Sequence, residues 1–273
     1  MYKMSAMIGL SHLRSSAQLM LASGLVVIGS LFAVAPKALA ATCTGTQTVH
    51  NAAGLVLFLT PDVYGTGRLC LTNSPAGGDN FTVSSSMINN TTAPQAYPDL
   101  DVGCGIFPGT QTTCTAGNPL PIKESAMAGK ITFTASHSGV AAADRYDTSA
   151  DLFFSSDKAN TSGPVSEVMV WANEQNQPHP SRAVSVTLDS RAWWRWTDAR
   201  SACSGTCNWT EVIYLLQTEQ NGFSSGITRK PILNNAVSIG ALSSSDYLQY
   251  EGVGNEIWIG GTHLKITAYN STF

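Results

Sequence analysis

From Ala41 onward the 273-residue chain reads as an all-β protein, a sandwich or barrel. Three observations predict this. Short apolar segments with β-branched and aromatic residues alternate with clusters of Gly, Ser, Asn, Asp and Thr. A single stretch has helical periodicity, so a parallel βα sheet, which needs a helix at every crossover, is excluded. No internal repeat or linker breaks the pattern, and roughly 230 residues suits one such domain with a sizeable core.

The segments with strand character are, in order, 55–59, 67–71, 81–85, 130–135, 150–154, 165–171, 184–188, 192–196, 211–217, 248–252, 256–260 and 262–269. Side chains alternate across a strand, so in 165–171 Val168 and Val170 share one face while Glu167, Met169 and Trp171 share the other. The helix is expected after Arg229, with Pro231 suited to its first turn. Ile232, Ala236 and Ile239 would form its buried stripe, and Gly240 would end it. The tract 91–121, rich in Pro, Gly and Thr, reads as a loop tied down by Cys104 and Cys114.

Ahead of this domain, Lys3 and Arg14 precede the apolar run 19–35, and Ala38-Leu39-Ala40 follows Pro36 and Lys37. Residues 1–40 therefore read as a secretory signal cleaved after Ala40, with 41–273 as the mature, secreted domain. The alternative, an uncleaved anchor, is close to the lower length limit for a spanning helix. Only 12% of residues are charged and the net charge is −3. Removing Lys3, Arg14 and Lys37 leaves 12 basic against 18 acidic residues, a net charge of −6. No basic cluster survives, which argues against nucleic acid or an anionic membrane surface as a partner.

All six cysteines lie in the mature part, and their order favours the pairs Cys43 with Cys70, Cys104 with Cys114, and Cys203 with Cys207. The five histidines are scattered, so no metal site and no cofactor are expected. The stretch Gly222-Phe-Ser224-Ser-Gly226 fits G-x-S-x-G, with Asp246 and His263 following in serine-hydrolase order. A nucleophile elbow belongs on a central parallel strand, however, and this chain has no second βα unit to build one. Glycoside hydrolysis needs two carboxyls, and Glu167 and Glu256 stand out because apolar residues and an aromatic follow each, Met169 and Trp171 in one case, Trp258 in the other. The competing reading of each is an outward, solvated glutamate on an edge strand.

Four segments in register resemble glycoside hydrolase family 12, small secreted retaining endo-β-1,4-glucanases. Ser166-Glu-Val-Met-Val-Trp171, after a Thr161-Ser-Gly163 turn, is similar to the family's nucleophile strand. Ala150-Asp-Leu-Phe-Phe154 resembles the strand that carries an Asp 16 residues upstream. Gly254-Asn-Glu-Ile-Trp258, followed by Gly260-Gly-Thr-His-Leu264, resembles the acid/base segment. Pro94-Gln-Ala-Tyr-Pro98, with Gly103-Cys104 and Cys114, resembles the bacterial members' Ser-Tyr-Pro and Gly-Cys loop.

The resemblance implies a two-sheet β jelly-roll sandwich with a concave substrate cleft and one short helix. It implies Glu167 as nucleophile, Glu256 as acid/base, and Asp151 as a helper bonded to the nucleophile. Met169 would lie beside the nucleophile, and Tyr64, Trp171 and Trp258 would line the cleft. The partner implied is a β-glucan polysaccharide, met by a monomer. The remaining acids are expected to be solvated surface. Three features depart from the family pattern: Asp62-Val-Tyr64-Gly65 in place of Asn-x-Trp-Gly, Ile257 in place of a Pro, and Gln177-Pro-His179-Pro-Ser181 in place of Pro-Ile-Gly. Cys203-Ser-Gly-Thr-Cys207 has no counterpart. A xyloglucan-specific enzyme and a non-catalytic glucan-binding sandwich are the alternatives.

Overall fold

The structure, a computed structural model, describes residues 41–73, 78–107, 114–202 and 205–273. The signal segment 1–40 and Cys203 lie outside the described residues. The strands are β1 (Gln47–His50), β2 (Val56–Thr60), β3 (Leu69–Thr72), β4 (Phe81–Ser86), β5 (Asp99–Gly103), β6 (Ile122–Lys123), β7 (Lys130–Ser136) and β8 (Arg145–Ser155). They continue as β9 (Ser166–Gln175), β10 (Val184–Leu188), β11 (Arg191–Ala202), β12 (Cys207–Leu216) and β13 (Gly222–Thr228). The helix α1 (Arg229–Ser238) follows, then β14 (Tyr247–Gly254), β15 (Ile257–Ile259) and β16 (Lys265–Ser271).

The larger sheet runs β1-β2-β5-β14-β8-β9-β12-β11-β10, with β6 paired onto β14 and β15 onto β8. The smaller runs β13-β7-β16-β4-β3. Every ladder between these strands is antiparallel except β9 with β12. The two sheets bury one apolar core, to which the larger contributes Leu57, Leu100, Leu152, Val168, Val170 and Tyr214, and the smaller Val83, Phe133, Phe223 and Ile266. Of the sandwich or barrel expected from the alternation, the sandwich is present, with the two sheets that the resemblance implies. Along β9 the parity is as read: Val168 and Val170 join this core, while Met169 and Trp171 join a second cluster on the outer face.

Several expectations are corrected. The 91–121 tract is not all loop, because β5 lies within it and pairs with both β2 and β14. Its sequence, Asp-Leu-Asp-Val-Gly, alternates correctly, with Leu100 and Val102 in the core and the two aspartates on the other face. Ile239 does not extend the buried stripe of α1: it is the C-cap, 38% exposed, and Gly240 at φ 73° turns the chain away. Ile232, Leu233 and Ala236 are the buried positions. Ser224 sits within β13, exposed at an irregular register, and hydrogen-bonds to neither Asp246 nor His263. No serine-hydrolase triad forms.

At the start of α1, Arg229 bonds Glu251 of β14 through Nε at 2.7 Å and Nη2 at 2.8 Å, and Tyr269 donates to the same carboxylate at 2.8 Å. Both charges are closed to water, a geometry tolerable because each is satisfied. Disulfides join Cys43 to Cys70 and Cys104 to Cys114, and Cys207 is also disulfide-bonded. Among the described residues no helix is long and apolar enough to cross a membrane.

Candidate active site

The outer face of the larger sheet gathers the residues singled out in the sequence. Register alone brings Asp151 opposite Met169, and Met169 opposite Ile213. Glu167 lies between Phe153 on β8 and Glu211 on β12. Glu167 and Asp151 are each only 5% exposed.

Glu256 arrives by another route. It immediately precedes β15, whose Ile257 is held between the carbonyl of Ala96 and the N–H of Gln95, both at 2.9 Å. Gln95 in turn accepts the N–H groups of Tyr64 and Gly65 at 3.1 and 3.0 Å. This run of backbone bonds carries the Tyr64 hydroxyl to 3.5 Å from Glu256 Oε1, while the Tyr64 ring stays 54% exposed. The Glu256 carbonyl accepts the Asp147 N–H at 3.1 Å.

The carboxyls interact as pairs. Asp151 and Glu167 interact electrostatically, and so do Asp147 and Glu256. Two buried acids side by side are less costly when one of them holds a proton. Asp151 Oδ1 and Asp147 Oδ2 are buried with no hydrogen-bond partner. Burial pushes all four carboxyls up, Glu256 to about 7, and neighbouring acids add to the effect. Asp147, Arg200 and Tyr64 hold Glu256 back from rising further.

Met169, Trp171 and Trp258 are buried in the second apolar cluster with Trp196, Ile213 and Leu215, so they form the floor of the face. Trp171 meets Trp196 edge-on at 5.6 Å, and the Arg145 guanidinium lies 5.3 Å from the Trp258 ring. The aromatic rings open to solvent on or beside this face are Tyr64 and Trp194, the latter two residues before Trp196 on β11.

The expectation that the other acids are solvated surface is overturned. Asp147, Glu211, Asp99 and Asp101 are all buried on the larger sheet. Asp147 and Asp101 lie on the outer face by parity with Asp151 and Asp99, and Tyr250 donates to Asp99 Oδ2. Glu211 is joined to Arg200 at 2.6 Å. Trp209 donates its indole N–H to Glu167 Oε2. Asp147, Arg200 and Trp209 lie outside the apolar centres of β8, β11 and β12 that the sequence shows, and Asp99 and Asp101 lie on a strand that reads as loop. Counting back in twos from Asp151 would have found Asp147.

Such a face, with buried carboxyls set among aromatics, lies on a two-sheet β sandwich. No family model matches the sequence and no curated protein does. Solved structures match over nearly their whole length. A metagenome-derived glycoside hydrolase family 12 endoglucanase is 23% identical, with 85% of this chain and 96% of that one covered at a TM-score of 0.71. An endoglucanase from Rhodothermus marinus is 22% identical, with coverages of 85% and 98% and a TM-score of 0.71. A family 12 xyloglucanase from Bacillus licheniformis is 18% identical, with coverages of 85% and 99% and a TM-score of 0.70. The fold is the β jelly roll shared with these enzymes.

Proposed function

We propose that this chain is a secreted glycoside hydrolase of family 12, a retaining endo-β-1,4-glucanase acting on internal bonds of soluble glucans. The observation that carries the reading is the placement of buried Asp151 and Glu167 on adjacent strands of the outer face of this jelly roll, where both interact electrostatically with Glu256. The value of about 7 for Glu256 supports its role as the acid, since near-neutral carboxyls are protonated when the leaving group needs a proton.

In the first step a Glu167 oxygen attacks the anomeric carbon. The glycosidic C–O bond breaks, and the leaving oxygen takes the proton from Glu256, giving a glycosyl ester on Glu167 and a free chain end. In the second step Glu256, now ionised, takes a proton from water. The resulting hydroxide attacks the anomeric carbon and releases Glu167 as carboxylate. Two inversions give retention. Asp151 holds the proton of its pair with Glu167, which leaves Glu167 the charged member. Tyr64 and Trp194 offer open rings for sugar stacking. Export rests on the 1–40 segment and on the disulfides, which persist in oxidising compartments. The enzyme works as a monomer without metal or cofactor.

The test is reducing-end release from carboxymethyl cellulose, barley β-glucan and xyloglucan, with product anomers followed by NMR. Retained β-anomer and loss of activity in Glu167→Ala are expected. Full activity in that variant overturns the assignment, inverted product overturns the mechanism, and binding without turnover by the intact protein makes it a glucan-binding module. The rank of the three substrates separates a general endoglucanase from a xyloglucanase.

A further inference from the structure

We propose that Trp209 is a positioning residue for Glu167: its indole N–H fixes the Glu167 carboxylate in one rotamer and favours its ionised form. The inference rests on the reading of Glu167 as nucleophile and goes beyond the Asp151, Glu167 and Glu256 set.

Among the described residues, Trp209 is the only N–H donor bonded to Glu167. An indole N–H donates and never accepts or titrates, so it favours the anion alone. The other groups facing Glu167 act differently. Glu211 from β12 and Glu256 beside β15 are acids that penalise its charge, while Asp151 from β8 takes the proton of its pair with Glu167. Arg200 from β11 favours the charge but is bonded to Glu211. Trp209 is thus the non-titrating donor set against two carboxyls.

The ring is held for the task. Trp209 lies two residues before Glu211 and so on the same face, and Glu211 is the register partner of Glu167. Phe153 and Phe107 pack against the indole at centroid distances of 6.1 and 6.0 Å. Cys207, two residues upstream, is disulfide-bonded and anchors the start of β12. The Cys203-to-Cys207 insertion, unmatched in the family pattern, therefore leads directly into this donor.

Trp209→Phe keeps an aromatic ring and removes the N–H. Its kcat/KM on barley β-glucan is expected to fall about tenfold, as for a lost hydrogen bond to a charged group, with KM within about twofold. The acid limb of its pH profile is expected to move to higher pH. Trp209→His, which retains a ring N–H, is expected to recover part of the loss. An activity-independent reading comes from the 15N-labelled intact protein: the indole resonance that vanishes in Trp209→Phe should titrate with pH, and cease to do so in Glu167→Gln. An unmoved acid limb in a folded Trp209→Phe, or an indole resonance whose titration persists in Glu167→Gln, overturns the proposal. If Trp209→Phe does not fold, the titration of the wild-type indole and its loss in Glu167→Gln decide alone. Labelling by a 2-fluoro-cellobioside separates the two readings: no label on Glu167 sinks the nucleophile assignment, whereas a labelled Glu167 with a normal Trp209→Phe profile sinks only the role of Trp209.

Discussion

Glu167 and Glu211 sit side by side across the parallel β9/β12 ladder, and Arg200 forms its salt bridge with Glu211. Glu211 is therefore an acid delivered next to Glu167, where Arg200 favours its ionised form against the larger effect of burial. Its repulsion is one of the causes that push Glu167 up, second to burial. Neutralising it should help the anion on Glu167. In Glu211→Gln the acid limb of the pH–kcat/KM profile is expected at lower pH than in wild type, and a limb that moves up would contradict this placement of charges.

Activity should fall as pH rises through about 7, where Glu256 loses its proton, since it acts first as an acid. Glu256→Gln should lose about a thousandfold on β-glucan, within the range typical of general acid catalysis. It should lose far less on an aryl cellobioside, whose leaving group needs no proton. Equal losses on the two substrates would remove Glu256 from the acid role.

Burial raises Asp99, Asp101, Asp147, Asp151, Glu167 and Glu256 above their ordinary values, and Glu211 with them. The folded state therefore binds more protons than the unfolded one over the interval between the ordinary and raised values. Stability is full below about pH 4 for these groups and is lost as pH rises through the raised values, about 7 for Glu256. His137, lowered by burial, acts in the opposite sense, costing stability as pH falls through its ordinary range, but it is one group against seven. Scanning calorimetry should give a higher Tm at pH 5 than at pH 8. A Tm that rises towards pH 8 would show that these carboxyls are not desolvated.

Arg229 and Glu251 should be inseparable in stability. Removing one partner strands the other charge, at a cost of about 3 to 5 kcal/mol. Arg229→Met and Glu251→Leu are each expected to lower the urea midpoint, and the double variant to recover much of the loss. Additive losses would mean that the pair is not coupled.

The sandwich was legible because its core strands, such as β9 and β16, are dense in β-branched and aromatic residues, and the parity of β9 identified the face that carries Glu167. Asp151 and Glu256 were legible through the resemblance, as carboxyls in apolar settings. Strands built from acids or small polar residues were not. β5 carries two aspartates, and β13 reads Gly-Phe-Ser-Ser-Gly, so both resemble loops until their neighbours in the sheet supply hydrogen bonds and burial. Trp209, Glu211 and Arg200 meet Glu167 only because β12 runs parallel to β9, a long-range pairing with no local signal. The buried acids read as solvated because a sequence does not show which carboxyls the sheet will enclose.

Gly252 lies on β14 between Asp101 and Asp151. A Cβ there would come within 2.4 Å of the Tyr250 hydroxyl and 2.7 Å of Asp99 Oδ2. The phenol of Tyr250 can thus recline over its own strand to reach Asp99 because position 252 lacks a side chain. One added methyl would tip that ring upright and leave Asp99 without its donor. The bare backbone at 252 acts as the keyway that lets this side of the face lie flat, so the smallest change to the chain would redraw its surface.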